Sequence, residues 1–333
     1  MKHLFKTLSY TAILSMLLAF FSSCSNDDSS SAPNTVSQQV LSNYGNSEFA
    51  KLYKKSKFYD ELNKEIDYKV DLFIPTNAAL ESEFSTEELN SLGQKELDRL
   101  IGLHIVKVDY NQSKFTKKLY DTEATNNDGQ SIKAHISYNY GNLYINGVKA
   151  VEKKNEKYCA IYQIDGFPDP RDIVRILAAD EDYSKFYSLL KKVADNESRL
   201  KSLIYNKEND FTIFPVDNDG VNTYLKDNNY TNVEDIPLEK AEKIIGRHVA
   251  KIRVEANPDK AIIFTNFNGE KSKVEIKNGQ ARVYYQLEDN NSSKENSQSE
   301  VNLSELEKLG LKGGTSILTK LFTSGLSDLF DAF

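Results

Sequence analysis

The sequence predicts an α+β chain built from two repeated units, closed by an amphipathic C-terminal helix. The first observation is a repeat. The stretch DLFIPTNAAL at 71–80 returns as FTIFPVDNDGV at 211–221, with Pro75 and Pro215 140 residues apart. SEFAKLYKKS and SKFYSLLKKV precede the two copies, Phe49 and Phe186 being 137 apart. LIGLHIVK and IIGRHVAK follow them, His104 and His248 being 144 apart. Offsets that drift slowly are what loop-length changes produce in an internal duplication. The second observation is that helical periodicity before each histidine gives way to strand runs bounded by Asn-Gly turns. The third is an apolar stripe at helical period in the tail.

Residues 1–23 read as a secretion signal, with Lys2 and Lys6 ahead of an apolar run too short to span a bilayer comfortably. The run ends at Phe21-Ser22-Ser23-Cys24, which resembles a bacterial lipobox, so Cys24 is the expected lipidation site. Residues 24–34 form a polar, flexible tether. Asp27-Asp28 just beyond the cysteine resembles the surface-export signal of Bacteroidota lipoproteins. The expected location is therefore the outer membrane, lipid-anchored and facing the cell surface, the periplasmic face being the alternative. With Cys24 lipidated, Cys159 has no cysteine to pair with, and its strand-like surroundings mark it as buried and inert.

The first unit is expected over 35–169. Apolar positions between Val36 and Phe58 suggest two short helices on one side of the unit. Residues 71–74 form a strand stopped by Pro75, and Thr76 or Asn77 offers a side-chain oxygen to the free amides of the next helix. Ser85-Thr86-Glu87-Glu88 is a capping-box signal. Leu97, Leu100, Ile101, His104 and Ile105 recur at helical steps, so His104 falls on the apolar side. Strands are expected at 132–138, 143–145, 148–151 and 159–164, with turns at Gly141-Asn142 and Asn146-Gly147.

FIPTNAAL, LIGLHIV, LYINGVKAV and YQIDGFPDP stand in the order and spacing of the fasciclin domain, which this unit resembles. The resemblance implies a twisted β-sheet wedge with packed helices, and so two tandem fasciclin-like domains. It departs from the family pattern at Leu103, where a tyrosine is usual, and at Tyr162, where a histidine is common.

The second unit, 170–286, repeats the opening helices from Ile173 to Leu190. Residues 211–216 are its strand, Asp217 stands in the capping place of Asn77, and 238–249 is its histidine helix. No clear counterpart of the closing Ile-Asp-Gly strand follows, so this unit is a diverged copy. A polar linker, 287–302, leads to a helical tail, 303–333. Its stripe comprises Ile317, Leu318, Leu321, Phe322, Leu326, Leu329, Phe330 and Phe333. That stripe either folds back on the second unit, docks in a partner's groove or lies on a membrane surface. The last is disfavoured by Asp328 and Asp331 beside the single base Lys320.

Composition excludes some functions. A formal charge of −7 opposes nucleic-acid binding. Walker, GxGxxG, GxSxG and HExxH motifs are absent, and no cysteine–histidine cluster occurs. Asp217-Asn218-Asp219-Gly220 has a calcium-loop composition, but counting back from Gly220 puts Pro215 where the first acid belongs. No enzyme activity, cofactor or metal is expected. His104 and His248 are either core histidines or, by the resemblance, part of the family's adhesion-linked histidine motif; His135 reads as structural or exposed. Two roles follow. One is a lipid-anchored binding or adhesion module for a protein ligand. The other is an accessory lipoprotein subunit of an outer-membrane transporter or assembly complex, docked through the second unit and the tail.

Overall fold

The structure is a computed structural model that describes residues 35–108, 115, 119–126, 129–156, 159–206, 209–252, 262–277 and 280–285. The signal segment, Cys24, the tether, the 287–302 linker and the whole tail from 303 to 333 lie outside the described residues.

Three helices, not two, open the first half: α1 (Val36–Tyr44), α2 (Glu48–Lys55) and α3 (Lys57–Glu61). The extra break is Ser56, whose extended backbone (φ −81°, ψ 156°) ends α2 and starts α3. Thr35 caps α1 in a reciprocal box with Gln38. Val36, Val40, Phe49 and Tyr53 from this layer are completely buried.

Strand β1 (Lys69–Pro75) is longer than its apolar centre suggests. Pro75 is its last residue, and the backbone bond beyond it is made by Thr76, whose N–H donates to Ile164 O at 3.0 Å. Helices α4 (Asn77–Glu81), α5 (Thr86–Ser91) and α6 (Gln94–Gly102) follow. Ser85 and Glu88 form the expected capping box on α5.

The remaining strands are β2 (Ile105–Val108), β3 (Leu119–Thr125), β4 (Ser131–Asn139), β5 (Asn142–Ile145), β6 (Val148–Asn155) and β7 (Ala160–Ile164). Each pairs antiparallel with the next, and β7 returns parallel to β1 (Leu72↔Ile161, Pro75↔Ile164). The expected wedge is therefore a closed seven-stranded barrel. Closure removes both exposed edges of the sheet. It also explains why β1 is apolar on successive residues: Val70, Leu72 and Ile74 join the helix-side core, while Phe73 joins a second core with Tyr120, Ile145 and Tyr162. The two tight hairpins turn at Tyr140-Gly141 (φ 47°, 78°) and Asn146-Gly147 (φ 45°, 77°). The first is one residue earlier than expected, because both turn positions need positive φ.

The second half runs α7 (Ile173–Ala178), a 3-10 turn (Glu181–Tyr183), α8 (Ser184–Asn196), α9 (Ser198–Tyr205), β8 (Thr212–Ile213) and α10 (Asn218–Asp227). Then come α11 (Leu238–Arg247), β9 (Val249–Ala250), β10 (Ile262–Thr265), β11 (Lys271–Lys277) and β12 (Gln280–Tyr285). Its own core gathers Ile176, Leu177, Leu190, Leu200, Ile236 and Ile245 around Phe186. The strand expected over 211–216 is only two residues of ladder, because its partner β9 is itself two residues long. The helix expected over 238–249 ends at Arg247, and Val249 already belongs to β9.

A polar seam joins the halves. His135 on β4 is completely buried, with Nε2 3.2 Å from Asp180 Oδ2, and Asp180 is 1% exposed. Ser137 Oγ donates to Ala179 O at 3.2 Å, and Tyr140 N–H to Glu181 Oε2 at 3.2 Å. Arg175 on α7 reaches back to Asn146 O (3.2 Å) and Phe167 O (2.9 Å). Gly147 is needed where this helix passes: a Cβ there would lie 2.6 Å from the Arg175 carbonyl.

Candidate functional site

The two sequence copies become two copies of one corner. In the first, Thr76 caps α4 by accepting from Ala79 N–H at 3.2 Å. Asn77 then accepts from Glu48 N–H, the first residue of α2, at 3.0 Å. In the second, Asp217 caps α10 by accepting from Gly220 N–H at 2.8 Å. Asn218 accepts from Lys185 N–H near the start of α8, also at 3.0 Å. Asp217 thus does the work of Thr76, and Asn218 that of Asn77. The expectation that Asp217 takes the place of Asn77 is off by one residue, because Thr76 and Asp217 each stand three residues after the phenylalanine bonded to the histidine backbone, whereas Pro215 stands one residue closer to that phenylalanine than Pro75 does. Asp217 and Asn218 thus each spend a side-chain oxygen on a backbone amide.

Each corner is pinned from behind by a histidine backbone. Phe73 N–H donates to His104 O at 2.8 Å, and Phe214 N–H to His248 O at 2.9 Å. The rings sit deep. His104 is fully buried with its edge on Phe49, ring centres 5.0 Å apart, and beside Phe167 at 5.4 Å. His248 is 4% exposed and meets Phe186 edge-on at 5.6 Å. His104 Nδ1 lies 2.8 Å from Leu100 O, so that nitrogen carries the proton and the ring caps a carbonyl at the end of α6. His248 Nδ1 instead lies 2.7 Å from Phe214 O. Burial lowers both rings from 6.5 to about 4, helped at His248 by the adjacent Arg247 charge. Both imidazoles are neutral near pH 7, and neither presents a nitrogen to solvent.

The strands behind the corners repeat as well. Asn126 accepts from Gln130 N–H at 2.8 Å across the β3–β4 turn. Asn266 accepts from Glu270 N–H at 3.0 Å across the β10–β11 turn. Here the second half adds a charge: Arg247, where the first has Leu103, reaches Glu270 through Nε (2.9 Å) and Nη2 (3.2 Å). Arg247 is 7% exposed, so the bidentate pair satisfies a guanidinium that would otherwise be buried alone.

Other reactive groups are held inert. Cys159 is buried, its Sγ donates to Gln39 Oε1 at 3.3 Å, and burial pushes the thiol far above its ordinary range. Burial likewise raises the Asp71 carboxyl, although Ala160 N–H donates to it at 2.8 Å. Among the described residues no three His, Cys, Asp or Glu side chains converge as metal ligands. No helix among them is long and apolar enough to cross a membrane. Cys24 and the stripe residues Ile317, Leu318, Leu321, Phe322, Leu326, Leu329, Phe330 and Phe333 lie outside the described residues. Sequence reasoning missed the His135–Asp180 pair, since nothing near either residue announces a partner 45 positions away.

Surface features are modest. Tyr140, at the tip of the β4–β5 hairpin, is 94% exposed in the left-handed region. A shallow cavity of about 420 Å³ lies at the α1–α2 turn, lined by Ser42, Asn43, Tyr44, Asn46, Ser47 and Asn77 among others.

Residues 45–167 match the family model of the Fasciclin domain. The match lies within the first half, running from the α1–α2 turn to Phe167, just beyond the last barrel strand, and the mixed α/β barrel there fits a domain of that kind. Helix α1 lies before the matched span, yet its Val36 and Val40 belong to the same core. No curated protein matches the chain.

Proposed function

We propose that this chain is a lipid-anchored, non-catalytic envelope protein that binds a protein ligand or neighbouring cell through fasciclin-like domains. The observation that carries the reading is the fasciclin match over 45–167, a domain commonly used for adhesion and binding. Neutral, buried histidines and a buried thiol suit a scaffold whose recognition is done by its outer surface. The second half is read as a diverged second domain of the same kind. Support comes from the repeated corner, with Asn77–Glu48 and Asn218–Lys185 making the same bond at the same distance. Cys24 carries the lipid, in a Bacteroidota-type outer-membrane lipoprotein exposed at the cell surface. Several acyl chains on one residue give durable anchoring where a single chain would give reversible binding.

Two measurements test this. The Cys24→Ala variant should leave the membrane fraction and appear in soluble form; persistence in the membrane would reject the anchor. Cells lacking the chain should adhere less to host or matrix surfaces. The full chain should restore adhesion and the Cys24→Ala form should not. Equal adhesion in all three strains would reject the binding role.

A further inference from the structure

The repeated corner has one bond in the second half that the first half lacks. Asn218 Oδ1 accepts from Lys185 N–H, and its Nδ2 donates to Glu181 O at 2.7 Å and to Ser184 Oγ at 3.0 Å. In the first half Asn77 Oδ1 accepts from Glu48 N–H, which fixes the orientation of the amide group. Its Nδ2 has no partner among the described residues. The turn that would supply one is present. Tyr44 O accepts from Ser47 N–H at 2.8 Å, as Glu181 O does from Ser184 N–H. Ser47, the counterpart of Ser184, gives its hydroxyl oxygen to Ala50 N–H instead. In the second half, then, the asparagine is drawn onto the turn. In the first, the same turn and Asn77 are walls of the cavity of about 420 Å³.

Those walls define what the cavity suits. Ser42, Asn43, Tyr44, Asn46, Ser47 and Asn77 supply its polar groups, and none of its described lining residues is charged. An anion or an ammonium group would shed water there without finding a counter-charge. Leu41 is the only aliphatic side chain among the described lining residues, too little to anchor an apolar peptide side chain. Amides and hydroxyls both donate and accept, and so do the hydroxyls of a sugar. The side chain of Asn46 makes no hydrogen bond among the described residues, so it brings uncommitted groups to the cavity as Asn77 does. What satisfies the matching amide in the second half is a carbonyl together with a hydroxyl. An N-acetylated sugar carries that pair on one neutral ring, and the volume lies in the range of small-ligand sites.

We propose that the cavity at the first corner binds a neutral saccharide through an N-acetylated ring, whose acetamido carbonyl accepts from Asn77 Nδ2 as Glu181 O accepts from Asn218 Nδ2. Asn46 then meets the ring hydroxyls. Asn43 contributes less, because its amide already bonds Gln39 O, Glu156 Oε1 and Lys154 Nζ. The site belongs to the first half alone, and it stands whether or not the chain also binds a protein.

Saturation-transfer NMR on the full chain, kept in a non-glycosidic detergent, tests this with N-acetylglucosamine, glucose and a peptide copying residues 181–184. N-acetylglucosamine should bind with a Kd of about 1 mM, the scale of a single ring, and glucose several-fold more weakly. Asn77→Asp keeps the oxygen that accepts from Glu48 N–H and removes only the donor. It should weaken binding at least about fivefold and leave thermal unfolding unchanged. Asn218→Asp should do the reverse, lowering the unfolding temperature and leaving sugar binding intact. Should Asn77→Asp disturb the fold, Asn46→Ala reads the same site without breaking a side-chain bond among the described residues. Absence of transfer to N-acetylglucosamine at about 10 mM overturns the proposal. So does equal affinity for glucose, binding of the peptide alone, or binding as strong in both first-half variants as in the parent. Adhesion in the assay above is a separate readout, so a failed adhesion role leaves this result standing.

Discussion

Acid should weaken this protein through two of its buried histidines, His104 and His248, and the size of the effect follows from their surroundings. His104 and His248 are held near 4, against 6.5 for a solvated imidazole, because burial penalises the charged ring. A base with a depressed value binds fewer protons folded than unfolded between those limits. Stability is therefore complete above pH 6.5, falls as the pH drops towards 4, and loses nothing further from these groups below that. At about 1.4 kcal/mol per pH unit, each ring contributes a loss of about 3 kcal/mol by pH 4. Two rings make about 6 kcal/mol, within the whole stability of many domains. The perturbation that isolates one ring is His104→Leu. At pH 7 it costs about 1 kcal/mol, because Leu100 O loses the Nδ1–H that caps it. It also removes one ring's acid sensitivity, so variant and parent curves should cross near pH 5 to 6. Urea titrations followed by tyrosine fluorescence suit a chain with 19 tyrosines and no tryptophan. A stability difference between parent and variant that stays constant from pH 7 to 4.5 would refute the reasoning.

Four further outcomes are expected. Gly147→Ala forces a side chain into φ 77° against the Arg175 backbone, and should cost about 2–4 kcal/mol in thermal unfolding. Gly141→Ala, at φ 78° with nothing within 4 Å of the new Cβ, should cost only about 1–2 kcal/mol. Asp180→Ala leaves His135 buried without its carboxylate and should destabilise by about 3 kcal/mol; in a double-mutant cycle with His135→Ala, additive losses would show that the pair is not coupled. Arg247→Leu, which installs the first half's residue, should cost about 2 kcal/mol in urea unfolding by stripping Glu270 of two charge-assisted bonds, and Arg247→Lys should recover only part.

What the sequence discloses and what it hides divide along sequence distance. The Ser85–Glu88 box, the Thr76 cap and the Asn146-Gly147 turn are local devices, each complete within four residues, and each was legible. Ser56 is local too, but a serine between two amphipathic turns gives no warning that the backbone there is extended. The parallel β1–β7 pairing joins residues 89 apart, from Leu72 to Ile161, and no local pattern encodes that closure. His135–Asp180 is hidden for the same reason. The off-by-one reading of Asp217 has another cause. Aligning Pro75 with Pro215 fixes the sequence register, but hydrogen bonding aligns Thr76 with Asp217, because oxygens that can cap a helix decide where it starts.

That slip shows what the duplication has kept. Thr76 and Asp217 differ in side chain and in distance from their prolines, yet each puts an oxygen on the third amide of the helix that follows. The histidines diverge further, His104 serving a helix carbonyl and His248 the carbonyl of Phe214, just beyond β8, with the same nitrogen. Their backbone carbonyls do not diverge: each accepts from the phenylalanine two positions before the corner's proline or immediately before it, Phe73 and Phe214. The corner is thus held by main chain, and the imidazole fills space behind it and satisfies whichever carbonyl lies nearest. A leucine at 104 should accordingly leave the Phe73–His104 backbone bond in place at neutral pH, with protected exchange at the Phe73 amide. Loss of that protection in an otherwise folded variant would instead assign the pinning to the ring.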